Sequence, residues 1–286
     1  NGTFLVRIED TDKKREVAGA EEYIFKSLDW CGMQVDERSS NNSHRQSSRK
    51  KLYQAKAKEL IKRGLAYYAF DSEQDLQRLR EEYHEKKETF IYNWKTRKEL
   101  KNSLTMNKEE VASMIAQSKP FVVRFLCPRD KKVNTNDLIR GKGSIDSSLI
   151  DDKVLIKADG MPTYHFANVI DVNMMRISHV IRGEEWLPSL ALHILLYQAF
   201  EWDPPKFAHL PLILNPNGKG KLSKRSGDSS GYPVFPLSWA KETKIDGFKE
   251  AGFLPEALNN YMASLGWAAE NGKEIMSMSE LIKSFK

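Results

Sequence analysis

Three times along this chain a short apolar run of strand character stops at a knot of charge. The knots are Arg7-Ile8-Glu9-Asp10-Thr11-Asp12, Ile181-Arg182-Gly183-Glu184-Glu185-Trp186, and the Gly/Lys-rich stretch that opens after Leu214. Between the runs, apolar residues recur at helical spacing: Tyr23, Ile24, Leu28 and Cys31, then Leu52, Tyr53, Leu60 and Ile61, then Leu192, Leu195, Leu196 and Ala199. Strands alternating with amphipathic helices predict an α/β fold. In open sheets of that kind, ligands sit beyond the carboxyl ends of the strands, where these charges fall.

In detail, the pattern predicts a strand over 3–8, a helix from Ala20 stopped by Gly32, an exposed polar loop over 36–49, a helix over 50–63 and a strand over 66–70. From Asp71 the composition shifts. Charged helical stretches at 72–87 and 94–102 precede a third over 108–117, a strand over 121–126, and a segment at 136–152 rich in Gly, Ser and Asp. With few catalytic-looking clusters, 71–152 reads as a domain inserted between two α/β halves, 1–70 and 153–220. The second half predicts a strand at 153–157, a helix over 164–171, a strand at 177–181, a helix from Pro188-Ser189 through Phe200, and a strand-like run over 207–214. Residues 221–286 hold the Lys-rich loop and then turn helical, at 237–241 and 255–265.

At 286 residues the chain can bury a sizeable core. No apolar stretch approaches the roughly 20 residues needed to span a bilayer. Cys31 and Cys127 stand apart with no Cys or His at metal-ligand spacing, so they read as reduced thiols of a cytosolic protein. A net charge of +6 is compatible with a polyanionic partner such as nucleic acid without demanding one. The chain opens at Asn1 directly into a buried-looking strand, which predicts that a preceding segment is missing.

Lys221-Leu222-Ser223-Lys224-Arg225 follows the Gly-rich stretch Asn215-Pro216-Asn217-Gly218-Lys219-Gly220. A loop of this kind can bring two ammonium groups onto a polyphosphate and away again, as splitting ATP to AMP and pyrophosphate requires. Glu9 can hold an ammonium and Arg182 a carboxylate through its bidentate fork, together the two poles of an amino acid. Tyr164 can add a phenol hydrogen bond. The same residues have a plainer reading: Glu9 and Arg182 pair with each other or with neighbours, Tyr164 packs, Trp186 lids a core, and Lys219 is solvated. His165 and His209 read as satisfying backbone groups rather than binding metal.

Five blocks carry a resemblance across essentially the whole chain: RIEDTD (7–12), DGMPTYHFANV (159–169), HVIRGEEW (179–186), PPKFAHLPLILNPNGKGKLSKR (204–225) and GFLPEALNNYMASLGW (252–267). In order and spacing they resemble glutamyl-tRNA synthetase, a class I aminoacyl-tRNA synthetase, with KLSKR resembling its KMSKS signature. The resemblance implies a Rossmann-like catalytic core, an inserted connective-peptide domain that binds the tRNA acceptor arm, and a helical stem-contact domain. It implies ATP-dependent ligation of L-glutamate to tRNA(Glu) through glutamyl-adenylate, with Mg²⁺, no zinc and no membrane partner, by a cytoplasmic monomer. On that resemblance Glu9, Tyr164 and Arg182 bind glutamate, and Glu185, Leu214 and Lys224 contact ATP. Lys221 and Lys224 supply the catalytic charge, and Asp12 and Trp186 lie near the terminal adenosine of the tRNA. Glu9, Arg182 and Lys224 are expected to converge on a single crevice.

The sequence also departs from the family. Its HIGH segment precedes RIEDTD and its anticodon-binding domains follow the stem-contact region, so this chain is expected to be an incomplete portion that charges tRNA poorly or not at all by itself. Ile170-Asp171-Val172-Asn173 replaces the usual Val-Asp-Asp-His run, and 38–44 lacks the usual Gly/Pro character. Other readings stay open on the residues: a noncatalytic synthetase-like module that binds tRNA or protein, a truncated relative that glutamylates a tRNA base, and a glutaminyl-type enzyme.

Overall fold

The computed structural model describes residues 2–12, 16–36, 44–215, 218, 220–222, 235–240 and 244–285. By internal contacts the chain divides into two compact units, one made of 9–14 and 45–211, the other of 1–8, 15–44 and 212–286.

The larger unit is built on two small sheets. In the first, β1 (Ala66–Ala69), β2 (Val122–Phe125) and β5 (Val154–Ile156) run antiparallel in the order β1-β2-β5. In the second, β3 (Lys132–Asp137), β4 (Gly141–Asp146), β6 (His179–Gly183) and β7 (Lys206–Leu210) are ordered β4-β3-β7-β6. The β6/β7 pair is parallel and in register over five residues, with Arg182 opposite His209. β3 joins β7 in parallel at Asp137 and Phe207, and turns back antiparallel as β4.

Helices supply most of the core. Helix α2 (Lys50–Lys62) buries Tyr53, Ala57 and Leu60, and α5 (Tyr164–Met174) buries a run from Phe166 to Val172. Helix α6 (Leu190–Phe200) is apolar nearly all round and buries nine of its eleven residues, which suits a helix enclosed on several sides. Its chain connects the parallel strands β6 and β7, as a parallel pair requires. Two further helices, α3 (Glu73–Glu85) and α4 (Lys108–Ala116), carry charged faces and begin at Ser72 and Asn107, each of which accepts a backbone N–H as N-cap.

The smaller unit holds α1 (Ala20–Trp30), the two-residue strands β8 (Trp239–Ala240) and β9 (Lys244–Ile245), α7 (Pro255–Ser264) and α8 (Met278–Ser284). Helix α8 carries a capping box between Ser277 and Glu280. It was not foreseen.

Several expectations need correction. The run 3–8 is not a regular strand: it has bridge positions only at Leu5 and Ile8. Its backbone groups are used locally, with Phe4 N–H donating to Asp36 and Ile8 N–H to the His44 carbonyl. The helix expected over 237–241 is a strand at Trp239–Ala240 as far as the described residues reach. There the Tyr23 hydroxyl donates to the Leu237 carbonyl (2.7 Å) and accepts from its N–H (3.1 Å), while Trp239 packs edge-on to the Tyr23 ring. Gly247 lets the chain pass, since a Cβ there would lie 2.3 Å from the Leu237 carbonyl carbon. The stretch 94–102 forms only a 3₁₀ turn at Thr96–Glu99. Beyond it, Lys101 and Ser103 bond to the backbone of Phe70 and Tyr68 beside β1. The Gly/Ser/Asp-rich segment from 136 is largely the β3–β4 hairpin.

Candidate active site

Arg182 stands one residue from the end of β6, and its guanidinium gathers a ring of side chains. Its Nε donates to His209 Nε2 at 3.0 Å. Its Nη1 donates more loosely to the Tyr164 hydroxyl (3.4 Å) and to His193 Nδ1 (3.5 Å), and Nη2 to the Trp186 carbonyl (3.5 Å). Tyr164 opens α5, His193 lies on α6, and the Tyr164 and Trp186 rings pack with centroids 4.3 Å apart, tilted by 38°. Three of the expected site residues, Tyr164, Arg182 and Trp186, are therefore in direct contact.

Two histidines and an aspartate support this group from inside. His209 and His193 are fully buried and Asp137 is 4% exposed. Asp137 Oδ2 accepts from His209 Nδ1 at 2.6 Å, while Oδ1 accepts the backbone N–H groups of Ile139, Arg140 and His209. Burial alone would raise its pKa, but donation from Arg140, the His209 ring, Ile139 and His209 N–H outweighs that and brings it to about 2. A carboxylate only accepts, so the proton of His209 sits on Nδ1 and its Nε2 lone pair faces Arg182. Burial, then the charge of Arg182, hold His193 well below the usual imidazole range. It is neutral, accepts from Arg182 at Nδ1 and donates from Nε2 to His165 Nδ1, 3.1 Å away. Both ring nitrogens of His209 and Nδ1 of His165 thus bond other side chains, against the expectation that these histidines satisfy backbone groups. Asp137 and His193 were missed; Asp137 sits in a turn-like Asn-Asp-Leu-Ile-Arg-Gly sequence that signals only an Asx turn.

Glu9 and Asp12 belong to the same unit and are both exposed. Their segment is fixed by Asp10, which accepts Ser47 N–H (2.8 Å), the Ser47 hydroxyl (2.5 Å) and Arg45 Nη1 (3.3 Å). Lys157 Nζ holds the Thr11 carbonyl at 2.7 Å. Exposed Glu185 folds its carboxylate over Gly183, where a Cβ would lie 2.0 Å from Oε2. In the other unit, Leu214 and Lys221 bridge an antiparallel turn closed by Leu222 N–H to Ile213 O. Ser223, Lys224 and Arg225 lie outside the described residues. Among the described residues no cluster of three or more His, Cys, Asp or Glu could hold a metal ion. Both cysteines are free thiols, with that of Cys127 pushed up to about 12 chiefly by burial.

The family of class I tRNA synthetases (E and Q), catalytic domain, matches residues 1–286. The chain belongs to that family. It is 51% identical over 292 residues to the glutamate–tRNA ligase of Christiangramia forsetii and 50% identical over 293 residues to that of Bacteroides thetaiotaomicron. These comparisons take in 100% and 99% of this chain, but only 58% and 57% of those ligases. A crystal structure of a glutamate tRNA ligase from Elizabethkingia meningosepticum in complex with its amino acid superposes with a TM-score of 0.94 at 50% identity. It too matches all of this chain and 58% of its own. The mixed α/β architecture is that of a class I synthetase catalytic domain.

The depressed pKa values of His165 and His193 make the stability of this synthetase core pH-dependent. Burial first, then the charges of Lys153 and Arg182, lower His165 from 6.5 to about 4, against a weaker opposite pull from Asp151. A histidine depressed in the fold takes up its proton more readily when unfolded. The stability it permits is complete above about pH 6.5 and is lost as pH falls through 4. Thermal melts of His165→Gln are expected to decline less between pH 6.5 and 4 than those of the parent; parallel declines would refute this.

Proposed function

We propose that this chain is the catalytic portion of a glutamate–tRNA ligase, which activates L-glutamate with ATP and transfers it to tRNA(Glu). The observation that carries this is half-identity to ligases of that name over every residue, with one guanidinium ringed by the predicted Tyr and Trp. Arg182 takes a carboxylate of glutamate, Tyr164 hydrogen-bonds the same ligand, and Glu9 meets its ammonium. Glu185, the backbone at Leu214 and Lys224 contact ATP, and Asp12 and Trp186 lie against the terminal adenosine. On this reading, 71–152 is the acceptor-binding insert and 221–286 the lysine loop with the stem-contact helices. The protein works as a monomer in the cytoplasm; among the described residues no helix is long and apolar enough to cross a membrane.

The chemical difficulty is charge. A carboxylate attacking the α-phosphate of ATP approaches a polyanion, and negative charge then builds on the departing pyrophosphate. Lys221 and Lys224 answer that charge, so the chain contributes positioning and electrostatics rather than a nucleophile. Mg²⁺ polarises the phosphates when bound.

The test is ATP–pyrophosphate exchange by the full-length protein with tRNA(Glu) present. Exchange that needs glutamate and is not supported by glutamine or aspartate is expected. Exchange driven equally by another amino acid, or none with any, would overturn the reading.

A further inference from the structure

Arg182 has two imidazole acceptors, and only one is backed by a carboxylate. The order Asp137–His209–Arg182 is built across three neighbouring strands, because β3 pairs with β7 at Asp137 and Phe207 while β7 pairs with β6 at His209 and Arg182. Both links are side-chain contacts, at 2.6 Å and 3.0 Å, and Asp137 and His209 are almost fully buried. An imidazole between a carboxylate and a guanidinium has one workable tautomer: N–H toward the acid, lone pair toward the arginine.

We infer that Asp137 is a positioning residue for amino-acid recognition, acting through the His209 tautomer to fix the plane of the Arg182 guanidinium. The inference rests on the reading of Arg182 as the carboxylate receptor for glutamate. Asp137 touches no substrate. It denies His209 an Nε2–H that would point at the Arg182 Nε–H, and so keeps the guanidinium edge-on to His209 with its Nη groups directed elsewhere. Arg140 strengthens the arrangement, since its N–H donates to Asp137, its Nε donates to the His209 carbonyl at 3.3 Å and its Nη2 pairs with Glu184.

Asp137→Asn inverts the tautomer with little change of shape. Oδ1 already accepts three backbone N–H groups, so the asparagine oxygen must occupy that position and its NH₂ must face His209 Nδ1. The ring then carries its proton on Nε2, donor against donor with Arg182. In the full-length protein this substitution is expected to raise KM for glutamate about 10- to 100-fold, by analogy with the loss that removing a supporting hydrogen-bond partner of a metal ligand causes. KM for ATP should stay within about 2-fold, a split that general damage to the fold would not give.

A second measurement needs no activity. In ¹⁵N spectra of histidine-labelled protein, with the His209 resonances assigned by their loss in His209→Gln, the parent should show the Nδ1–H tautomer and Asp137→Asn the Nε2–H tautomer. Unchanged KM for glutamate, parallel rises in both KM values, or an Nε2–H tautomer in the parent would each overturn the inference. An unsubstituted protein with no glutamate-dependent exchange would instead overturn the functional reading, with the tautomer result standing apart.

Discussion

Arg182→Gln in the full-length protein is expected to lower kcat/KM for glutamate by about 10³-fold, while KM for ATP moves little. The guanidinium is the one full positive charge in a ring of neutral groups: His209 and His193 present lone pairs to it, and Tyr164 and the Trp186 carbonyl complete the ring. A hydrogen bond between charged partners contributes about 1.5–3 kcal/mol, and a fork that makes two therefore contributes about 3–6. Glutamine can still donate to His209 Nε2, so the local packing survives while the charge and one prong of the fork are lost. Since each 1.36 kcal/mol is tenfold, about 4 kcal/mol corresponds to the stated loss. Arg182→Lys should recover little of it, because an ammonium is a point charge without the planar fork. β6 is an edge strand and Arg182 is only half-buried, so the melting temperature should shift little. Steady-state exchange kinetics decide the matter. A loss below about 3-fold would mean that Arg182 only closes its own neighbourhood, the plainer reading of that residue.

The parts of this fold legible in the sequence are those written in short-range periodicity. Helix α2 with Gly64 behind it and the apolar α6 lie where the spacing put them, within a residue or two, and α5 starts at Tyr164 as expected but runs three residues past Asp171. Tyr164, Arg182 and Trp186 were visible as chemistry at the borders of such elements. What escaped depends on pairings that no local window contains. Asp137 is 72 residues from His209 and becomes its neighbour only through the β3–β7 pairing. The segment 237–241 has helical composition, yet the Tyr23 hydroxyl, 214 residues away in sequence, takes both backbone groups of Leu237. Residues 3–8 carry strand propensity and still form no ladder, because propensity describes what fits a sheet and cannot supply the neighbouring strand.

Asp171 shows the same limit and carries the second large effect. In the sequence, Ile170-Asp171-Val172-Asn173 was notable only as a departure from the family's usual run. In the fold the Asp171 carboxylate is fully buried and takes four contacts from α2 and the turn before it: the Tyr53 hydroxyl at 2.9 Å from both oxygens, Gln46 Nε2 at 2.8 Å and Arg49 Nη1 at 2.8 Å. Asp171→Ala removes at once the carboxylate that an arginine, a phenol and an amide share. The Gln46 side chain is already buried with Oε1 lacking a hydrogen-bond partner, and would lose its Nε2 acceptor as well. Breaking a buried pair by removing one member costs about 3–5 kcal/mol, because the remaining charge keeps its desolvation penalty. For a unit of this size the melting temperature should fall by about 10 °C. Asp171→Asn, which keeps an acceptor for Tyr53 and loses the charge opposite Arg49, should fall by less. The consequence reaches the site, because Arg45 and Ser47 flank Gln46 and hold Asp10, next to Glu9. At a temperature where Asp171→Ala is still folded, KM for glutamate should therefore rise while KM for ATP changes less. A melting temperature within about 2 °C of the parent would show that the four contacts are offset elsewhere and that Asp171 does not anchor this segment.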